Sequence, residues 1–225
     1  MDTLIVMLKN VLIFVLLAIP GYVLLKGKVL GPKESGTLSK VLTNLGMPFL
    51  ILSSTLKLDF GGDFTLSLLL VGIIGTAFLV LTFFVSALFV RKESDEKRKN
   101  MMRFCMIFAN NGFIGIPLAR AVFGDGSAVM AYLIVMNIVM NVLMFTLGVY
   151  LISGDKNAIN FKKAFLTPVF LSFLLGIALN LLKVPQLLPE INTYTNHFSG
   201  IVTPLSMMVL GMKLCDVPQI GRAHV

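Results

Sequence analysis

Apolar stretches of about 20 residues recur seven times along this chain, and no other feature constrains its fold as tightly. The predicted segments run over 4–25, 37–56, 64–90, 101–123, 128–152, 164–182 and 195–214. Inside lipid no water can serve a free N–H or C=O. A segment of this length therefore crosses hydrocarbon as a helix that satisfies its own backbone. Composition agrees. The chain is 56% hydrophobic and only 13% charged, with a mean hydropathy of +0.90, against about 25% charged in soluble domains. The predicted class is an all-α polytopic membrane protein.

Basic residues set the expected orientation. The loop after the first segment holds Lys26, Lys28, Lys33 and Lys40. The loop after the third holds Arg91, Lys92, Lys97, Arg98, Lys99 and Arg103, and the one after the fifth holds Lys156, Lys162 and Lys163. The alternate connections, KLDFGGD, GDGS and KVPQLLPEINTYTNH, are poor in Lys and Arg. Odd-numbered segments thus end at the cytoplasm, and the N-terminus is expected outside. This distribution accounts for most of the net charge of +8, so nucleic acid is not an expected partner. The run RKESDEKRK reads as a solvated loop. Asp2 stands where a cleavable leader would carry basic residues. Cys105 and Cys215 form no spacing motif, so neither a disulfide nor a metal site is expected. No cofactor is expected either.

The fourth segment contains FANNGFIGIPLAR, at 108–120, whose residues disfavour a continuous helix. Pro117 removes a donor and clashes with the preceding turn. Gly112 and Gly115 weaken the helix before it, and Asn110 and Asn111 place amides at the same depth. One reading is two half-helices joined by a short unwound crossing over 112–117. The second half would then present unpaired N–H groups and a positive dipole end to an anion. The other reading is a proline-kinked helix with its asparagines bonded to neighbours. The candidate substrate-binding set is Asn110, Asn111, Gly112, Gly115, Ile116 and Pro117. Asn137 and Asn141, four apart on one face of the fifth helix, join it as path-lining or interhelical residues. Arg120 is read as snorkelling towards the surface near Gly124. No Asp or Glu falls inside a predicted span; Asp59, Asp63 and Asp125 fall in loops.

NNGFIGIPLA resembles the fourth-helix signature of the auxin efflux carrier family. TPLSMMVLGMKL and TNLGMPFLIL resemble that family's seventh and second helices. The family includes plant auxin exporters and bacterial carriers of malate, malonate and related carboxylates. The resemblance implies a ten-helix carrier of two inverted five-helix repeats, of which seven helices are present. Helices one, two, six and seven would form a scaffold and the others a moving unit. Residues 1–153 would be the first repeat, 154–163 a cytoplasmic linker, and 164–219 the start of the second. The second and seventh segments lie five helices apart and share a polar–Pro–small pattern, as an inverted repeat requires. The function implied is secondary transport of small organic anions across the cell membrane, with the site at the broken fourth helix. Expected partners are a carboxylate substrate and the lipid bilayer, with a homodimer as an option for the full-length protein.

Other readings are a sodium-coupled symporter of the bile-acid type and a non-transporting assembly subunit. An enzyme is not expected: outside the last six residues His197 is the only histidine, and no nucleophile or acidic cluster accompanies it. One reverse translation of residues 220–225 matches a common sequencing adapter followed by a stop. Read-through is therefore the expected origin of these residues, Arg222 and His224 included.

Overall fold

The computed structural model describes residues 2–216, apart from 59, 125, 156, 158, 160, 161, 163 and 164. The expectations for Asp59, Asp125, Lys156, Lys163 and residues 220–225 lie outside the described residues. All regular structure among those residues is helical. The first segment is α1 (Asp2–Lys26). The second is α2 (Pro32–Val41), a π-helical turn at Leu42–Gly46, and α3 (Met47–Thr55). The third is α4 (Gly62–Phe89). The fourth is α5 (Glu96–Ile107), a π turn at Asn111–Gly115, and α6 (Ile116–Phe123). The fifth is α7 (Ala128–Leu143), a π turn at Met144–Gly148, and α8 (Val149–Ser153). Then come α9 (Pro168–Leu181), the short α10 (Val184–Leu187), α11 (Glu190–Gly200) and α12 (Val202–Asp216).

Local chemistry sets these boundaries. Asp95 accepts the N–H of Lys97 (2.9 Å) and starts α5. Ser127 accepts that of Met130 (3.3 Å) and starts α7, and Thr167 accepts that of Phe170 (3.2 Å) before Pro168 opens α9. Gly154 stops α8 with a left-handed φ of 69°. Two of the three π turns share one cause. Each ends in Gly-x-Pro, at Gly46-Met47-Pro48 and Gly115-Ile116-Pro117. A proline has no N–H for the carbonyl four residues back and its ring crowds that carbonyl. The chain accommodates it by inserting one residue, so Met47 N–H reaches back to Leu42 O and Ile116 N–H to Asn111 O.

Five helices are long and apolar enough to cross a membrane: Ile5–Lys26, Gly62–Phe89, Glu96–Phe123, Ala128–Ser153 and Glu190–Asp216. The other two predicted segments are helical but less decisive. α9 has 14 residues, and the second segment opens with the polar α2, PKESGTLSKV.

The helices pack in two groups. α1 lies along α12, while α3 packs on α9 and α11. Separately, α4 packs on α5 and α7, and α5 on α8. α6 touches both α1 and α7, and the π turn before it touches α12, so the second half of the fourth segment bridges the groups. The main core forms there: Leu42, Met47, Leu50, Ile51, Ile116, Ile134, Val169 and Val202 come from five segments. The α1–α12 contact depends on missing side chains. A Cβ on Gly21 would collide with the backbone of Met208, and one on Gly211 with the carbonyl of Ala18. Small residues let membrane helices approach to backbone contact, where van der Waals packing replaces a hydrophobic driving force.

On α9, Gly176 fits under Thr55, and Asn180, one turn on, caps α3. Its Nδ2 donates to Thr55 O (3.3 Å), Leu56 O (2.9 Å) and Leu58 O (2.8 Å). A helix end leaves carbonyls short of internal donors; here Thr55 O also accepts Leu58 N–H (3.2 Å) and Leu58 lies in the loop beyond. Asn180→Ala is therefore expected to cost about 1–3 kcal/mol, and Asn180→Asp more, because it faces three carbonyls with a carboxylate. Thermal melts of the purified variants in detergent check this; unchanged melting in both would contradict the capping role.

Candidate functional site

The fourth segment is interrupted midway, starting four residues earlier than the sequence suggests, at 108 against 112. Coiling stops at residues 108–110 and resumes as a π turn at Asn111, so 112–117 is wound rather than open. Pro117 sits in the first turn of α6, directly after the π turn, and that turn is its effect. The break itself comes from side chains. Phe108 turns to an extended backbone (φ −105°, ψ 90°). Its ring packs with that of Phe104 (centroids 4.9 Å apart) against Gly148, which has no Cβ to obstruct them. Asn110 then caps the second half: its Oδ1 accepts the N–H of Phe113 (3.3 Å).

The break opens onto a cavity of about 490 Å³ between α4, α5, α7 and the π turn. Ala109, Asn110, Asn111, Ile114 and Gly115 line it from the fourth segment. Phe78, Leu79 and Thr82 line it from α4, and Leu133, Met136 and Met140 from α7. No charged side chain is among its described lining. Asn111 is half-buried, and its Oδ1 occupies the space that a Cβ on Gly115 would fill. The site is thus an apolar chamber with amides and the start of a half-helix at one wall.

Three of the eight predicted residues, Asn110, Asn111 and Gly115, line this chamber. Gly112 faces α7 and α3: its absent Cβ would lie 3.2 Å from Asn137 Nδ2 and 3.3 Å from Met47 Cε. Ile116 and Pro117 are buried in the core. Asn137 is buried behind the chamber. Asn141 Nδ2 donates to Asn137 O (2.8 Å) and Oδ1 (2.9 Å), so these two form an intrahelical pair. Arg120 does not simply snorkel: its Nη1 donates to Ser199 O (3.3 Å) and Oγ (3.2 Å), tying α6 to the end of α11. Among the described residues, no three His, Cys, Asp or Glu side chains group closely enough to share a metal ion.

A family model described as "Membrane transport protein" matches residues 6–162. The chain belongs to that family, the auxin efflux carriers. An "Uncharacterized transporter" of Methanothermobacter thermautotrophicus is 31% identical over 212 residues, which cover 92% of this chain and 67% of that relative. The chain thus spans about two thirds of that relative's length. It is a multi-pass membrane transport protein, and the interrupted fourth segment lies inside the part shared with the auxin efflux carriers. Sequence reasoning missed the far wall of the chamber. Thr82, Met136 and Met140 read as ordinary residues of apolar runs; Thr82 and Ser86, four apart on α4, are a polar signal that could have marked this wall.

Proposed function

We propose that the protein is a secondary transporter of small organic anions, carboxylates foremost, with its substrate held at the break in the fourth segment. In this reading it works in the plasma membrane with its N-terminus outside, as the basic loops suggest, and it is a carrier, not an enzyme. The observation that carries the reading is that the break opens onto a partly open cavity rather than onto a packed neighbour. The first donors of a helix lack internal acceptors. Phe113 N–H is taken by Asn110 Oδ1 and Asn111 N–H by Ala109 O, and in this reading the ligand meets the first-turn donors that remain. A helix start favours an anion by about 0.3–1 kcal/mol, and up to ~2 kcal/mol when partly buried. The Asn111 amide adds a directional contact, and the apolar walls accept the carbon skeleton. Without a fixed cationic side chain in the described lining, binding stays weak enough for release.

The two packing groups support a moving-unit mechanism. α4, α5 and α7 would shift against the body formed by α1, α3, α9, α11 and α12, with α6 at the boundary. The test is flux of radiolabelled malate into liposomes holding the full-length protein. Saturable uptake is expected. Asn111→Ala should lower it about tenfold, the loss of one hydrogen bond to a charged group. Undiminished flux with Asn110, Asn111 and Pro117 all replaced would remove the site from this position.

A further inference from the structure

Of the π turns among the described residues, the one at Met144–Gly148 has no proline beside it. Within it Thr146 Oγ1 donates to Val142 O (2.9 Å) and Leu143 O (3.3 Å), the back-bonding that bends helices. Its last residue, Gly148, is buried and faces α5. A Cβ there would lie 3.0 Å from Phe104 Cε2, 3.1 Å from Phe108 Cε2 and 3.4 Å from Phe108 Cζ. An inserted residue shifts the presented helix face by about 100°, and the residue that meets the two rings here is glycine rather than Leu147 or Val149.

Phe108 is where α5 stops winding. Its backbone is extended, and the N–H groups of Ala109 and Asn110 find no acceptor among the described residues. In a continued α-helix they would reach Cys105 O and Met106 O. The Phe108 ring joins a cluster with Leu79, Ile107 and Met140, and those three also line the chamber. The seat of the ring and the wall of the chamber are therefore one packing unit.

We propose that Gly148, which is outside the chamber lining, is a positioning residue for the substrate site. Its bare backbone makes the seat for Phe108, and the seated ring holds 108–110 unwound with the chamber open. A side chain at 148 drives the ring out. Phe108 then returns to the helix, Ala109 and Asn110 wind up behind it, and the chamber wall moves with them. The consequence for flux rests on the transport reading above; the consequence for the break rests on the fold alone.

Two readouts on the full-length protein in liposomes test this: malate flux, and hydrogen exchange at 104–113 resolved by fragmentation mass spectrometry. Gly148→Val is expected to slow exchange at Ala109 and Asn110 about tenfold, because both gain helical partners. Flux should fall about tenfold, since a small misplacement at a site is amplified in rate. Phe108→Leu removes Cε2 and Cζ, the atoms that the new side chain would meet. Adding it to Gly148→Val should bring both readouts to within about threefold of Phe108→Leu alone. A plain packing defect behaves otherwise, because loss of a second core group deepens it. Unchanged exchange in Gly148→Val, or no recovery in the double variant, would overturn the assignment. A parent that moves no malate, while exchange still follows residues 148 and 108 as stated, would remove the transport reading and leave Gly148 as the residue that positions the break.

Discussion

Gly211→Leu is expected to push α1 away from α12 and to destabilise the scaffold. A Cβ at Gly211 would overlap the Ala18 carbonyl and press on Tyr22 N, and one at Gly21 would overlap Met208 O. These neighbours are backbone, so no rotamer change relieves the contact; the helices must move apart. Overpacking typically costs about 1–3 kcal/mol, and occasionally more. For a chain of this size that lowers the melting temperature by roughly 2–12 °C. Gly36→Ala is the informative contrast. Nothing lies within 4 Å of its absent Cβ, and alanine in a helix interior gains about 0.5–1 kcal/mol over glycine. Melts in detergent should therefore move in opposite directions for the two variants. A Gly211→Leu protein that melts with the parent would mean that α1 and α12 are not in backbone contact.

Pro117→Ala is expected to damage transport far more than stability. The proline imposes the π turn by denying Phe113 O its usual donor. Alanine restores that donor, and the turn can relax to α-helix. Removing one inserted residue rotates everything on one side of the turn by about 100°. Asn111 and Gly115, which line the chamber, would then no longer keep their relation to α6. Pro117 is buried, so a small cavity cost of about 1 kcal/mol is expected, offset by better helix propensity. Malate flux in liposomes should fall about tenfold or more, an effect of ~1.4 kcal/mol or greater at the site, while the melting temperature changes little. Full flux in Pro117→Ala, with the turn relaxed, would show that the π geometry is not needed for transport.

Much of this architecture is legible in the residues. Apolar run lengths place the long helices, and Gly-x-Pro before an apolar run marks both proline-linked π turns. The position of the break was not legible. Proline drew attention to 112–117, yet α5 ends at Ile107 because Phe108 docks on Gly148 in another segment. That contact is 40 positions away in sequence, 148 against 108, and no local pattern announces it. The same holds for Arg120. Charge at a helix end suggests snorkelling, but Ser199 lies within reach only once α6 and α11 are side by side.

Hydropathy and helix-breaking chemistry act over a few residues. For that reason they suffice for the membrane class, the helices and the existence of an interruption in the fourth one. Which of the breaking residues face a chamber is a different kind of fact. Asn110, Asn111 and Gly115 reach it while Ile116 and Pro117 are buried beside them, because α4 and the Leu133–Met136–Met140 face of α7 stand on one side of the turn and the main core on the other. Neighbours from distant segments select the face, and only the packed helices contain that information.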